Sequence, residues 1–220
     1  MSSVSAIPGE YPVRFSVEYP EKRDRLSVLL RLLLIIPIVV VYALLAGGSG
    51  NTTRARSDDD GDRWQTGRTG AAGIGIVVAP TALMLLFRRK YPRWWFEWNR
   101  ELSRFGARVG AYALLLRDEY PSTDEEQAVH LAIDEPDAAQ LNRWLPLVKW
   151  LLAIPHYIVL ILLALSVVVT TFVAWLAILV TGQYPRGLFD YAVGVGRWAN
   201  RVGGYAFILV TDRYPPFSLK

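Results

Sequence analysis

The chain has no cysteine, only two histidines and no acidic residue within its long apolar runs. The absence of cysteine excludes a disulfide framework, a thiolate metal site and a cysteine nucleophile. No acid–base pair, no nucleophile beside a base and no cluster of metal-binding side chains can be assembled from the remaining residues. We therefore expect no enzymatic activity, no metal and no other cofactor. The first residues also lack the apolar stretch of a cleavable signal peptide.

Apolar residues make up 52% of the chain and are grouped in long runs, at 26–46, 71–87 and 145–180. A membrane crossing needs about 20 apolar residues, so the first two runs each predict one crossing. The third run is too long for one crossing, and we divide it into 144–163 and 164–180, joined by a tight turn near Ser166. A single tilted helix that begins at the membrane interface is the alternative for this run. The sequence thus predicts an α-helical integral membrane protein with four transmembrane helices.

Basic residues flank these runs and predict the orientation of the chain. They are Lys22, Arg23, Arg25, Arg88, Arg89, Lys90, Arg93, Arg143, Arg186, Arg197 and Arg201. The loop 47–70 instead balances its arginines with aspartates. Because positive residues stay on the cytoplasmic side, both termini and the middle segment are expected there. The net charge of +4 then reflects topology and anionic lipid, and no motif indicates nucleic-acid binding.

The chain contains two similar halves, which share five blocks in the same order. The blocks pair VEYPE (17–21) with IDEPD (133–137), LRLLLIIP (30–37) with VKWLLAIP (148–155), YPRWWFEW (91–98) with YPRGLFDY (184–191), RFGARVGAYA (104–113) with RWANRVGGYA (197–206), and DEYP (118–121) with DRYP (212–215). We divide the chain into a tail (1–12), repeat 1 (13–121), a linker (122–129) and repeat 2 (130–220). With an even number of crossings each, the repeats are expected to be parallel hairpins about an axis along the membrane normal.

The second repeat, with its YPRGLFD and TDRYPPF blocks, resembles an uncharacterised bacterial membrane family known as domain of unknown function 4389. The resemblance implies a bacterial membrane protein whose biochemical role is not established. Together with the predicted crossings, this leads us to expect a multi-pass protein of the bacterial cytoplasmic membrane. The first repeat departs from the pattern by its inserted loop, by Ile38 and Val39 in place of His156 and Tyr157, and by a Trp-Trp pair after YPR.

Each hairpin is followed by a segment with helical spacing of apolar residues. Trp98, Leu102, Phe105 and Val109 fall on one stripe, and Tyr191, Val195, Trp198 and Val202 repeat it. Such aromatic-rich amphipathic helices are typical of the membrane interface, although a helix packed on a small domain of its own has the same pattern. Extended pieces bounded by proline, VRFSVEYP, AYALLLRDEYP, VHLAIDEP and YAFILVTDRYPPF, predict four strands in a small cytoplasmic sheet, two per repeat.

Basic and aromatic residues next to the apolar runs are the candidates for contact with lipid or a protein partner. They are Arg31, Lys149, Arg104, Arg108, Arg197, Arg201, Trp94, Trp95, Trp98 and Trp198. Arg31 and Lys149 occupy the same repeat position, so both are expected to reach lipid phosphate by extending their side chains toward the interface, or to line an anionic-lipid pocket between the repeats. Anionic lipids are therefore the expected partner, with a homo-oligomer or a membrane protein as others.

Pro37 and Pro155 also occupy one repeat position and predict a kink in each crossing. His156 has no counterpart in the first repeat. A buried, hydrogen-bonded structural histidine is the favoured interpretation, and a gating or ligand-sensing role is the alternative. A metal or haem ligand is the least favoured, because no partner ligand is nearby in the sequence.

Two functional classes are compatible with these features. One is a membrane scaffold or accessory protein that presents its interfacial helices and sheet to lipid or to a partner. The other is a small channel or transporter formed between the repeats or by an oligomer. Polar residues within the crossings are few, chiefly Thr81, His156, Ser166, Thr170 and Thr171. That number is small for a water-filled path, so the scaffold is the favoured prediction.

Overall fold

The computed structural model describes residues 10–21, 23–45, 72–88, 90–123 and 125–220. The predicted loop 47–70 lies outside these residues. The elements, in chain order, are β1 (Val13–Val17), α1 (Arg25–Leu45), α2 (Ala72–Arg88), α3 (Arg93–Ala113), β2 (Val129–Ile133), α4 (Leu145–Leu152), α5 (Ile154–Thr181) and α6 (Arg186–Gly203). A π-helical turn, Gly204–Ile208, follows α6 directly.

Helices α1 and α2 coincide with the first two apolar runs, and α3 and α6 coincide with the two amphipathic segments. Leucine, isoleucine and valine fill α1, which continues through Pro37 without interruption. At the equivalent position, the chain is interrupted between α4 and α5 at Ala153, two residues before Pro155. Pro155 lacks the N–H that would bond to the preceding turn, which favours a break here, but α1 shows that a proline at this position does not require one.

The hairpin predicted within 145–180 is wrong. Ser166 lies in the middle of α5, which runs without a break over 28 residues. The stretch after Pro155 has no glycine or proline to end a helix, and the Ser166 hydroxyl donates to the Leu163 carbonyl of the same helix. Helix α5 ends only at Gly182, whose φ of 73° is readily adopted by glycine. The alternative of one long helix with a separate start, here α4, describes this run better.

The prediction of four strands is also wrong. The described residues form one antiparallel sheet of two strands, β1 and β2, in which Phe15 lies opposite Leu131. The other two predicted strands begin as helix instead. AYALLLRDEYP begins with the last residues of α3, and YAFILVTDRYPPF begins within the π-helical turn. Each then turns sharply at a residue with positive φ, Leu115 (59°) or Leu209 (62°), so neither pairs with a strand.

The elements stack in three layers. Helices α1, α2, α4 and α5 form an outer apolar layer, α3 and α6 a middle layer, and β1 and β2 the third layer. In the middle layer, α3 and α6 pack against the sheet: Phe15 of β1 lies against Gly196 of α6, and the Leu131 carbonyl of β2 accepts a hydrogen bond from Arg104 of α3. The sheet buries Val13 on the same face as Phe15.

The middle-layer helices lie lengthwise along the apolar layer. Trp198 of α6 donates to His156 near the start of α5, and Tyr191, two turns earlier on α6, bonds to Ser166 farther along α5. Helix α6 is therefore antiparallel to α5. Helix α3 runs antiparallel to α1 in the same way, with Gly106 beside Tyr42 and Tyr112 beside Arg31.

Candidate membrane-binding face and the ion pairs beneath it

The outer side of the apolar layer exposes large hydrophobic side chains along its whole length. On α5 these include Ile158, Ile161, Leu162, Leu165, Val168, Val169, Phe172, Val173, Leu176 and Val180, and on α1 they include Leu29, Leu30, Leu34, Ile36, Val39, Val40 and Val41. An apolar surface of this extent is larger than monomeric water-soluble proteins usually expose. It indicates a surface that contacts lipid or another protein.

Among the described residues, α5 is the one helix that is long and apolar enough to cross a membrane. Only 11% of its most apolar stretch is buried within the protein. A long apolar helix in the core of a water-soluble protein would be mostly buried. The exposure of α5 therefore sets it apart from such a core helix.

Arg31 and Lys149 lie under this face, and each is paired with an aspartate from the segment that follows a middle-layer helix. Arg31 bonds to Asp118, and the Lys149 Nζ lies 2.7 Å from Asp212 Oδ1. This short distance brings the two opposite charges into direct contact. Arg31 and Lys149 are 2% and 0% exposed. Neither cation reaches the surface, so internal ion pairs replace the predicted extension of these side chains toward lipid phosphate. The lipid pocket between the repeats stays a prediction.

The two ion pairs have matching surroundings. Arg31 lies over the Tyr112 ring at 4.4 Å and donates to the Tyr112 carbonyl (3.3 Å). Lys149 lies 5.2 Å from the ring centre of Tyr205 and donates to the Thr211 carbonyl (2.7 Å). Tyr112 and Tyr205 occupy the same position in the repeated blocks. The second copy has one more residue between its tyrosine and its aspartate, and the π-helical turn accommodates it.

Backbone groups complete both sites. Asp118 accepts from the backbone N–H of Asp24 at 3.4 Å, and Asp212 accepts from that of Asn142 at 2.5 Å. Both donors lie just before the helix that carries the cation. Each aspartate therefore links the segment just before an apolar-layer helix to the segment that follows a middle-layer helix.

The first site also contains Arg23, whose Nη1 lies 3.1 Å from Asp118 Oδ1. Arg23 donates to the carbonyls of Leu115 (2.7 Å) and Leu116. Burial lowers the pKa of Arg23, while the Asp118 carboxylate raises it in part. Two arginines thus share one carboxylate here, whereas among the described residues Lys149 is the one cation paired with Asp212.

Four further candidate arginines lie on α3 and α6 and bond to backbone carbonyls. Arg104 donates to Leu131 of β2 (3.0 Å), and Arg197 donates to Phe15 of β1 (3.1 Å). Arg108 and Arg201 donate to the carbonyls of Ser122 and Ser218, at 2.5 and 3.5 Å. These four side chains are half-buried. They hold the middle layer to the sheet, to the linker at Ser122 and to the carboxyl-terminal segment at Ser218, and lipid contact through them stays a prediction.

The candidate tryptophans occupy two kinds of position. Trp94 is 68% exposed and Trp98 is 40% exposed, whereas Trp95 stacks on Trp98 and donates to the Thr81 hydroxyl (2.7 Å). Trp198 is 5% exposed and faces the interior, so it contacts His156 and cannot contact lipid in this structure.

His156 is fully buried in an aromatic cage. Its Nδ1 accepts a hydrogen bond from the Trp198 indole (3.1 Å), and its ring stacks on Phe217 with centroids 4.0 Å apart. Tyr214 covers it from another side at 4.8 Å. This is the geometry of the predicted hydrogen-bonded structural histidine. The gating alternative stays a prediction, and among the described residues no three His, Asp or Glu side chains come together as a metal site.

A cleft of about 410 Å³ lies between α3 and α6. Small and polar residues from equivalent positions of both helices line it, including Ser103 with Gly196 and Gly110 with Gly203. The Asn99 side chain at its edge is 2% exposed and its Oδ1 has no hydrogen-bond partner. The lining is chiefly apolar and offers no catalytic pair of groups.

The aspartates that complete the ion pairs were not predicted from the sequence. Asp118 and Asp212 lie in the repeated blocks DEYP and DRYP, whose Tyr-Pro pairs predict the ends of strands. Their repetition at a fixed position, like that of Arg31 and Lys149, was a usable signal. Two charges of opposite sign that recur in both repeats predict an internal ion pair better than two separate surface contacts.

Comparison with known proteins gives one match. Residues 144–218 match the model of a family described as "Domain of unknown function (DUF4389)". No curated protein and no solved structure matches the chain. The matched segment contains α4, α5, α6, Lys149 and Asp212. The carboxyl-terminal part of the chain, residues 144–218, is thus similar to this uncharacterised family, and the match does not extend to the first repeat.

Proposed function

We propose that the protein is an integral membrane scaffold or accessory protein of the bacterial cytoplasmic membrane. Its apolar layer is immersed in lipid, and its middle layer and sheet form the opposite, polar side that a protein partner can bind. The observation that carries the proposal is the exposure of α5, whose outer side chains are apolar over its whole length. No catalytic step is part of this proposal.

Burial of this surface supplies the energy for membrane association. Ile161, Leu165 and Phe172 are each more than 60% exposed. Transfer of one such side chain from water into hydrocarbon contributes roughly 1.5–3 kcal/mol when it becomes fully buried. Many side chains of this kind lie on one surface, so the total far exceeds what reversible surface attachment requires.

The ion pairs suit a scaffold because they join the layers rigidly. Arg31 and Lys149 belong to the apolar layer, while Asp118 and Asp212 follow the middle-layer helices. A displacement of either layer would separate buried opposite charges, which is strongly unfavourable. A partner that binds the sheet would therefore be held at a fixed position relative to the lipid.

Duplication of the chain is part of the same proposal. Residues aligned by the two halves make matching contacts across the molecule: Arg104 reaches β2 and Arg197 reaches β1. The two accepting residues, Leu131 and Phe15, lie opposite each other in the sheet. These pairs of contacts support a twofold relation between repeats 13–121 and 130–220, with its axis through the sheet.

Flotation with neutral phosphatidylcholine vesicles tests the membrane proposal. The wild type should float with the vesicles and resist extraction by alkaline carbonate. Replacement of Ile161, Leu165 and Phe172 by glutamine should reduce the floated fraction. The control variant, Glu18→Gln with Glu101→Gln and His130→Gln, changes three exposed residues away from the apolar surface and should float like the wild type.

Two results would contradict the proposal. A wild type that stays in solution without detergent and does not float would exclude a membrane protein. Equal flotation of the wild type and the glutamine triple variant would show that this surface does not hold the protein in lipid. Dye release from the same vesicles, above that of empty vesicles, would instead favour the channel.

A further inference from the structure

We infer that the protein occupies a single leaflet, with α1, α2, α4 and α5 lying parallel to the bilayer plane and the middle layer and sheet stacked above them toward water. This inference rests on the proposed membrane association and specifies its partner surface as one lipid leaflet. It differs from the four crossings expected from the sequence. The structural basis is that charged residues of the middle layer and the sheet lie beside the apolar helices along their length. All of them lie on the side opposite the exposed apolar surface.

The first observation concerns the middle of α5. Tyr191 of α6 bonds to Ser166, which lies halfway along α5. Asp190, which directly precedes Tyr191 in α6, is exposed. If α5 crossed the bilayer, the Asp190 carboxylate would lie near the centre of the hydrocarbon, where an ionised side chain is costly and needs a partner. With α5 parallel to the membrane, Asp190 is on the side that faces water.

The second observation repeats the first in the other half of the chain. Helix α3 is fixed against the apolar layer at two points, where Trp95 bonds to Thr81 and where Gly106 touches Tyr42. Between these points, Arg100 and Arg104 share the Glu101 carboxylate, whose side chain is 51% exposed. A crossing orientation would carry this charged cluster into the bilayer along with α1 and α2.

The position of the sheet is also incompatible with apolar helices that cross the bilayer. Phe15 at the centre of β1 contacts Gly196 of α6, between the positions where α6 meets Ser166 and His156. The sheet therefore lies behind the first half of α5, and His130 of β2 and Glu18, which follows β1, are both exposed. Open strand edges are not tolerated in contact with lipid, because their backbone groups would lose water. A stack of layers above the membrane keeps both strands hydrated.

The third observation is that basic residues mark both ends of α5. Helix α1 is antiparallel to α5, and Arg25 at its start donates to the Val180 carbonyl at the end of α5 (3.1 Å). Near the other end, Arg143 before α4 donates to the Leu86 carbonyl at the end of α2 (2.7 Å). Crossing helices would place these basic segments on opposite sides of the membrane, contrary to the preference of positive residues for one side. A helix layer in one leaflet keeps all of them on the same side.

Aromatic residues at the edge of the apolar surface fit a leaflet better than they fit a second protein. Trp144 just before α4 and Trp150 within α4 are 65% and 56% exposed, and Trp94 is exposed at the start of α3. Arg88 and Lys90 lie exposed close to Trp94 in the chain. Tryptophan with arginine or lysine at the border of an apolar surface is the composition of the headgroup region.

Depth measurements on single-cysteine variants test the inference, since the natural chain has no cysteine to interfere. Cysteine is introduced at Ile158, Leu165, Phe172 or Val180, four exposed positions along α5. Each variant carries a fluorophore and is placed in vesicles of phosphatidylcholine and phosphatidylglycerol. Lipids with nitroxide groups at known depths then quench the fluorophore. His130→Cys on the sheet is the control and should not be quenched by deep nitroxides.

A helix in one leaflet predicts that the four labels lie within about 5 Å of one shallow depth. A crossing helix predicts depths that change steadily over about 33 Å between residues 158 and 180, with the label at 172 or 165 nearest the centre. That result would overturn the inference and leave the membrane proposal intact. Absence of quenching at all four positions would overturn both, as expected if a second copy or another protein covers the surface.

Discussion

Loss of the Asp212 carboxylate should destabilise the protein more than loss of the Lys149 ammonium with which it pairs. Lys149 is fully buried, and its Nζ contacts Asp212 Oδ1 (2.7 Å) and the Thr211 carbonyl (2.7 Å). Asp212→Asn leaves this cation buried with one neutral acceptor. Removal of one partner from a buried ion pair costs about 3–5 kcal/mol when the other charge stays buried.

The opposite substitution should cost less. In Lys149→Met, the aspartate side chain is 26% exposed to solvent and keeps its bond to the Asn142 backbone N–H (2.5 Å). We expect a loss of about 1–3 kcal/mol, because the remaining carboxylate stays hydrated and hydrogen-bonded. The double variant should be more stable than the sum of the two losses predicts, by about 1–3 kcal/mol.

The assay is the free energy of unfolding in neutral detergent, obtained for the wild type, both single variants and the double variant. Arg93→Met with Glu97→Gln provides the control cycle, since that pair has exposed side chains and should couple by about 0.3–0.5 kcal/mol. Equal losses for the two single variants, or coupling no larger than that of the control, would refute a buried pair. Loss of binding to anionic vesicles by Lys149→Met without loss of stability would instead favour lipid contact.

Three further outcomes follow from the structure. Trp198→Phe should destabilise the protein by about 1–3 kcal/mol in thermal unfolding, because the buried His156 Nδ1 loses its donor, and a wild-type melting curve would contradict this. Gly204→Ala should cost about 1–3 kcal/mol, since its Cβ would lie 2.6 Å from a Val13 methyl group, whereas Gly110→Ala has open space around it and should not destabilise. Replacement of the four middle-layer arginines by glutamine should lower the melting temperature in neutral detergent and leave the affinity for anionic vesicles nearly unchanged. A loss of vesicle affinity at an unchanged melting temperature would show that these arginines contact lipid. These four are Arg104, Arg108, Arg197 and Arg201.

The helices were predictable where the chain has an uninterrupted periodic or apolar pattern. The segments that became α3 and α6 have apolar residues at helical spacing, so their position followed from the sequence alone. Val195, Trp198 and Val202 of the predicted stripe are buried in α6, and Tyr191, its fourth member, is half-buried. Two of the four strands failed, because Leu115 and Leu209 turn the chain at positive φ and no local pattern announces that conformation in leucine.

The division of 145–180 failed for a different reason. The prediction assumed that an apolar run longer than about 20 residues must turn back within the membrane. Length limits a helix only if the helix crosses the bilayer, and nothing in the residues around Ser166 breaks one. A helix parallel to the membrane has no such limit.

The partners of the buried and half-buried cations could not be predicted from one sequence. Arg31 and Lys149 were recognised as equivalent, but their partners lie far along the chain and meet them only through the antiparallel packing of the layers. The same packing brings Arg104 to β2 and Arg197 to β1. Periodicity indicates which face of a helix is buried, but does not indicate which distant element covers it.

The side from which the two ends of α5 react with a membrane-impermeant maleimide tests the central claim most directly. Ala139→Cys before α4 and Gln183→Cys after α5 introduce single exposed cysteines on either side of the α4–α5 segment, in which α5 alone is about 42 Å long. In sealed inverted vesicles and in intact spheroplasts, the account predicts that both positions react from the same side of the membrane. Reaction of one position from each side would show that α5 crosses the bilayer and would contradict the account.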